Sequence, residues 1–123
     1  MQNQNITGLR RLVSASSNSW KGFVAAWTHE EAFRQELLLV IIASPLAFVL
    51  GNSWIERALL LGSVLQILIV ELLNTGIEVV VDRIGTDHNE LSGRAKDVAS
   101  AAVLVSLLLA AGTWAMILLP RWL

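Results

Sequence analysis

Two glutamates, Glu71 and Glu78, stand seven residues apart inside an otherwise apolar run, with Asn74 between them and Asp82 just beyond. At about 100° of turn per residue, Glu71, Asn74, Glu78 and Asp82 line one helix face, and the two glutamates lie on the order of 10 Å apart along its axis. An ionised, unpaired carboxylate near the bilayer centre costs roughly 2.5 kcal/mol or more, so two in one membrane helix need a partner or a task. Such groups can hydrogen-bond across a bundle, bind a divalent cation, relay protons or act as a general base. Asn74 by itself reads equally well as interhelical glue, and Gln66, deeper and off the stripe, reads as structural. Two carboxylates plus Asp82 on one stripe, running toward a charged segment, exceed what glue requires. Magnesium takes oxygen ligands, commonly one or two carboxylates plus substrate phosphates, which suits Glu78 at the charged end. Glu71, deeper in the run, suits the role of proton acceptor for a hydroxyl at the headgroup level.

The segment that follows, residues 82–97, reads D-R-I-G-T-D-H-N-E-L-S-G-R-A-K-D. Gly85 is expected to end one helix and Ser92 to open the next, with Arg94, Lys96 and Asp97 in its first turns. A helix N-terminus attracts phosphate and a lysine supplies a point charge for it, while the same cations would also suit ordinary snorkelling at an interface. There is no phosphate-binding G-x-x-x-x-G-K loop and no soluble-kinase signature. His29 and His88 have no partner at metal-ligand spacing and read as solvated. Without a cysteine, the chain excludes disulfides, thiolate metal sites and a cysteine nucleophile.

The elements that must position these groups are membrane helices. Hydrophobic residues make up 54% of the 123 and charged residues 15%, against roughly 25% charged in a soluble domain, which makes lipid the solvent for much of the surface. Net charge is −1 and no basic stripe is present, so nucleic acid is not an expected partner. Residues 37–55 form nineteen positions without a charge, long enough to cross a roughly 30 Å core. Pro45 is expected to kink that helix, and Gly51-Asn52-Ser53 offers an earlier end, with Glu56 and Arg57 marking the turn. Residues 58–81 form a second span and residues 98–119 a third, uncharged one, stopped by Pro120 and anchored by Arg121 and Trp122. Upstream, Leu9, Leu12, Val13, Trp20, Phe23, Val24 and Trp27 fall on one helical stripe, with Arg10, Arg11, Asn18 and Lys21 elsewhere: an amphipathic helix for the membrane surface, or one packed on its own protein. Residues 1–7 are polar and expected to fray.

The expected fold is therefore an all-α integral membrane protein, one domain over 1–123. Its parts are a surface helix at about 6–29, spans at about 30–52, 56–84 and 93–120, and a loop at 85–92. The first thirty-six residues show no secretory-signal pattern, so the spans are expected to be retained. Seven of the nine Lys and Arg residues flank the N-terminal segment and the second loop, which places both in the cytoplasm and the C-terminus outside. Three helices leave little protein-facing surface for so many polar groups, so a homo-oligomer is expected.

The run from Glu71 to Asp97 resembles the prokaryotic integral-membrane diacylglycerol kinase family. Its E-x-x-N-x-x-x-E-x-x-x-D-R signature stands as Glu71, Asn74, Glu78, Asp82 and Arg83, followed by E-L-S-G-R-A-K-D from Glu90 to Asp97. W-K-G from Trp20 and E-x-A-F-R-Q-E from Glu30 to Glu36 also match. The resemblance implies a homotrimer with active sites shared between subunits, in a bacterial inner membrane. It implies direct transfer of phosphoryl from Mg2+-bound ATP to the diacylglycerol hydroxyl, giving phosphatidic acid. It further implies Glu71 as general base, Glu30 and Glu78 as metal carboxylates, and Asn74 and Asp82 as supporting groups. Nucleotide contacts are implied for Arg11, Asn18, Glu30, Glu78, Asp87, His88, Asn89, Lys96 and Asp97. Lipid contacts are implied for Ser16, Ser19, Trp20, Glu36, Glu71, Ser100 and Trp114. Two positions depart from the family pattern: Asn89 stands where a histidine commonly precedes Glu-Leu-Ser, with His88 one place earlier, and Asn18 stands where an aromatic is common.

Two other functions remain open on residues alone. A kinase of this architecture acting on a polyprenol such as undecaprenol would need the same groups. A proton-conducting or transporter subunit would use Glu71 and Glu78 as a relay, but the outer half of the second span offers only Gln66, Ser63 and Gly62 to continue a path.

Overall fold

A computed structural model describes residues 7–123. Helix α1 spans Gly8–His29, α2 Glu31–Leu50, α3 Trp54–Ile84 and α4 Glu90–Leu118, closed by a 3-10 turn over Leu119–Arg121. Residues 1–6, most of the polar start expected to fray, lie outside the described part.

Polar side chains define the helix ends. Thr7 Oγ1 accepts from the Arg10 amide to open α1, and Glu30, in extended backbone, separates α1 from α2. Arg34 then reaches back from α2, its Nη1 donating to the carbonyls of Trp27 (2.6 Å) and Thr28 (3.5 Å). A cation on the last free carbonyls of a helix satisfies them and complements its dipole. The α2–α3 connection is built the same way: Arg57 Nε donates to Phe48 O at 3.1 Å, and Arg121 donates to Leu50 O. Ser53 opens α3 by accepting from the Glu56 amide (3.1 Å) while Glu56 accepts from the Asn52 amide (2.9 Å). This reciprocal pairing satisfies two otherwise free donors. Glu56 and Arg57 thus belong to the first turn of α3 rather than to the turn between helices, because the cap at Ser53 starts the helix before them. Helix α2 ends at Leu50 as the Gly51-Asn52-Ser53 signal suggested, and Pro45 lies inside it.

The second connection is shorter than expected. Asn89, not Ser92, caps α4, its Oδ1 accepting from the amides of Leu91 (2.9 Å) and Ser92 (3.1 Å). Asparagine caps a helix as well as serine does, and the helix therefore begins at Glu90, which leaves only residues 85–89 as loop.

Helices α2, α3 and α4 run antiparallel in sequence order, α3 central. Val40, Ala43, Val64, Ile67 and Ala110 form the core, with Leu68 and Trp114 against it. Small residues at the contacts, Ala43, Ala47, Ser63, Ala99, Ser106 and Ala110, are buried, which lets backbones approach closely, as in membrane bundles. Gln66 Nε2 donates to Ser106 O (2.7 Å) and Ser63 O (2.9 Å), and Trp114 Nε1 to Leu60 O and Ser63 Oγ (both 3.1 Å). These bonds lock α3 to α4 in the half distant from Glu71. Three helices, Glu31–Leu50, Trp54–Ile84 and Glu90–Arg121, are long and apolar enough to cross a membrane. Their large apolar side chains, including Leu38, Ile41, Ile69, Leu104 and Leu108, are exposed on the outside. The α1 residues Leu9, Leu12, Val13, Trp20, Phe23, Val24 and Trp27 are likewise exposed.

Candidate functional site

Glu71 sits near the middle of α3 and is only 3% exposed. Asn74, one turn on, is 9% exposed, and its Nδ2 donates to Glu78 Oε1 at 3.3 Å. Both side chains face inward because α3 buries the face that also carries Leu60, Ser63, Val64, Ile67 and Val81. The stripe read from spacing is therefore a protein-facing stripe over its inner part, and it emerges at Glu78, half-buried, and Asp82, exposed.

The other carboxylates arrive from the joint between α1 and α2. Glu30 occupies that joint and is half-buried; Glu36 lies between one and two turns into α2, also half-buried. The charges of Glu36, Glu78 and Glu30 all reach Glu71. Charge from three other carboxylates, on α2, on α3 and at the α1–α2 joint, is thus felt at Glu71 in a mostly apolar setting, although no three acidic or histidine side chains among the described residues gather closely enough to hold a metal. Repulsion among them is relieved only by cations, protons or positive ligands brought to the cluster. Two oxygens beside it, Glu36 Oε2 and Asn74 Oδ1, are buried and have no hydrogen-bond partner in the chain.

Two cavities flank the cluster. Between α1 and α3 lies one of about 520 Å³ whose lining includes Ser19, Glu30 and Thr75. At the loop end, Asp82, Asp87, His88, Asn89, Ser92 and Lys96 line another of about 370 Å³. There Lys96 Nζ lies 2.7 Å from Asp82 Oδ1, joining α4 to α3. Asn89 contributes its oxygen to the α4 cap, so its side chain is already engaged in that cavity.

Other residues singled out in the sequence lie elsewhere in the chain. Trp20 lines a separate apolar crevice with Phe33 and Leu37. Arg11, Ser16 and Asn18 are exposed on α1, and Asp97 and Ser100 are exposed on α4. Arg11 precedes Glu30 by nineteen residues, roughly 28 Å along α1. Trp114 is committed to the α3–α4 lock at Leu60, eleven residues and roughly 16 Å along α3 from Glu71. None of these groups shares a cavity with Glu30 or a hydrogen bond with Glu71, Asn74 or Glu78 among the described residues. Sequence reasoning missed Thr75, Gly22, Gly76 and Leu72, which line the α1–α3 cavity; His29, read as solvated, is exposed and also borders that cavity. Thr75 was findable: four residues after Glu71, it shares the face of the acidic stripe.

The sequence pattern of the prokaryotic diacylglycerol kinase family matches residues 17–118. The chain belongs to this family. The diacylglycerol kinase of Escherichia coli strain K12 is 51% identical to it over 114 residues, 93% of each chain. That of Pseudomonas aeruginosa is 49% identical over 113 residues, 92% of each, and that of Haemophilus influenzae 46% over 112, covering 91% of this chain and 95% of the other. All four carboxylates fall within the stretch shared with the prokaryotic diacylglycerol kinases, whereas Arg11 and Ser16 lie before it.

Proposed function

We propose that this protein is an ATP-dependent membrane kinase that transfers the γ-phosphoryl group to the hydroxyl of diacylglycerol, yielding phosphatidic acid. The observation that carries the reading is the burial of Glu71 in mid-helix within reach of the charges of Glu36, Glu78 and Glu30, in a chain of the diacylglycerol kinase family.

Phosphoryl transfer asks a protein mainly to position its reactants and to neutralise charge. Glu71 is the proposed general base, since a carboxylate held in mid-helix among apolar groups can take the hydroxyl proton as the oxygen attacks in line. Glu36 is a further polar contact for the acceptor. Asn74 orients Glu78 through its amide, and Asp82 holds Lys96 at the mouth of the loop cavity. Lys96 there supplies positive charge to phosphate, with Asp87, His88 and Asn89 bordering the space for the nucleotide.

Among the described residues no three His, Asp or Glu side chains gather as a metal cluster. That pattern still fits Mg2+, which is commonly held by one or two carboxylates together with substrate phosphates and water. Glu30 and Glu78 are the proposed carboxylates, with the unpaired Asn74 Oδ1 nearby. Magnesium, when bound, neutralises charge on the transferring phosphates.

Arg11, Asn18, Asp97, Ser16, Trp20, Ser100 and Trp114 remain proposed nucleotide or lipid contacts. The exposure of Arg11, Ser16, Asn18, Asp97 and Ser100 on the single chain supports a homotrimer in which a neighbour completes each site. Exposed Trp20, Phe23 and Trp27 support α1 as an amphipathic surface helix. The lysine and arginine distribution supports an N-terminus and 85–89 loop in the cytoplasm of a bacterial inner membrane, with the C-terminus outside.

The test is ADP and phosphatidic acid formation by purified protein in mixed micelles, with and without diacylglycerol and, in parallel, with undecaprenol. Turnover stimulated by diacylglycerol alone is expected. Preference for the polyprenol, or no acceptor-dependent ATP use, would overturn the proposal.

A further inference from the structure

The α1–α3 crevice contains a polar group that nothing else in the chain uses. Thr75 is one of the residues that line it, and its Oγ1 is buried and has no hydrogen-bond partner among the described residues. A serine or threonine inside a helix ordinarily returns its hydroxyl to a carbonyl one turn back. The chain does this at Thr28 toward Val24, Ser44 toward Val40 and Thr113 toward Leu109. Ser63 and Ser106 do the same toward Leu60 and Val103. Thr75 departs from these five, its hydroxyl neither returned to its own helix nor in solvent, where α3 borders the crevice against α1.

The crevice also says what kind of group would meet this hydroxyl. Its lining holds Glu30 but no lysine or arginine, so a free phosphate or carboxylate would be repelled, while a neutral acceptor with apolar flanks would not. Gly22 and Gly76 both border it, and a Cβ at either position would meet nothing within 4 Å, so the space is wider than helix packing needs. Thr75 lies one turn from Glu71, about 6 Å along the axis. That separation suits a hydroxyl at Glu71 and a carbonyl oxygen on the adjacent carbon of a glycerol unit at Thr75.

We infer that the Thr75 hydroxyl donates a hydrogen bond to an ester carbonyl of the diacylglycerol seated in the α1–α3 crevice, and thereby selects a glycerol diester over an alcohol without an ester. This rests on the lipid-kinase reading above. Thr75 is a specificity-determining residue and takes no part in the proton or phosphoryl step. A polyprenol, with no ester beside its hydroxyl, leaves the Thr75 donor unpaired and is disfavoured for that reason.

The experiment measures kcat/KM for dioleoylglycerol and for its diether analogue, in mixed micelles, for the wild-type protein, Thr75→Val and Thr75→Ser. The wild type is expected to prefer the diester by about tenfold, the size of one neutral hydrogen bond. Thr75→Val, which keeps the shape and loses the hydroxyl, is expected to bring that ratio close to one, and Thr75→Ser to preserve it. A wild type indifferent to the ester overturns the assignment even if the valine variant fails to assemble, and so does a valine variant that keeps the preference. Absence of acceptor-dependent turnover in the wild type would instead sink the kinase reading, so the two failures are distinguishable.

Discussion

At the residue scale, burial separates groups that the sequence presents as equals. Glu71, Asn74, Glu78 and Asp82 share a stripe, yet the first two are enclosed and the last is in solvent, paired with Lys96. A carboxylate enclosed by apolar helices and surrounded by other carboxylates is kept only where its chemistry is used. Glu71→Gln is close in shape and removes the proton acceptor; it should leave the protein folded and assembled and lower phosphatidic acid formation by at least about 100-fold. Near-normal product from that variant would show that another group takes the proton. Glu78→Gln is expected to raise the magnesium concentration needed for half-maximal rate several-fold, with the KM for diacylglycerol little changed. A magnesium titration of the variant that overlays the wild-type curve would remove Glu78 from the metal site.

At the element scale, the helix ends are tied by side chains of the next element rather than by the loops. Arg34 satisfies the end of α1, Arg57 and Arg121 the end of α2, and Ser53 with Glu56 the start of α3. Gly51 is required where this clasp closes, and the reason is proximity, its backbone being at an ordinary φ of −70°. A Cβ there would stand 2.5 Å from Arg57 Cγ and 2.9 Å from the Ala47 carbonyl oxygen. Arg57 has little room to give, since it also bonds Phe48 O and stacks on Trp54 at 4.7 Å. Gly51→Ala is therefore expected to destabilise the fold by about 1–3 kcal/mol, read as a lower midpoint in detergent unfolding. An unchanged midpoint would mean that the clasp tolerates the methyl group.

At the scale of the molecule, the ties at one end of the bundle are separated from the acidic groups along α3. The Trp114 lock and the Glu56–Arg121 ion pair lie toward the start of α3, Glu71 near its middle, and Glu78 and the loop cavity toward its other end. Glu56 precedes Glu71 by fifteen residues, roughly 22 Å along α3. Arg121→Gln should accordingly lower thermal stability, because it frees the Leu50 carbonyl and the chain end together, while kcat at a permissive temperature stays near wild type. A fall in kcat without a fall in stability would show that the clasp is coupled to the site.

Much of this was legible from residue order. Spans of nineteen or more uncharged residues, acids at helical spacing and a Gly-Asn-Ser break are local signals, because helix period and lipid solvation act on neighbours along the chain. The start of α4 was misplaced because two good capping residues, Asn89 and Ser92, compete within one turn, and only backbone geometry shows which one accepts the amides. The indole of Trp114 bonds Leu60 and Ser63, more than fifty positions away in sequence, a tie that no local pattern announces. That the charges of Glu30 and Glu36 reach Glu71, and that the Thr75 hydroxyl is left unpaired, depend on how α1 and α2 fold back against α3. Residue order determines which faces are apolar and where acids sit on them; which faces meet, and which polar atoms are left without a partner when they do, is decided by packing between segments distant in the chain.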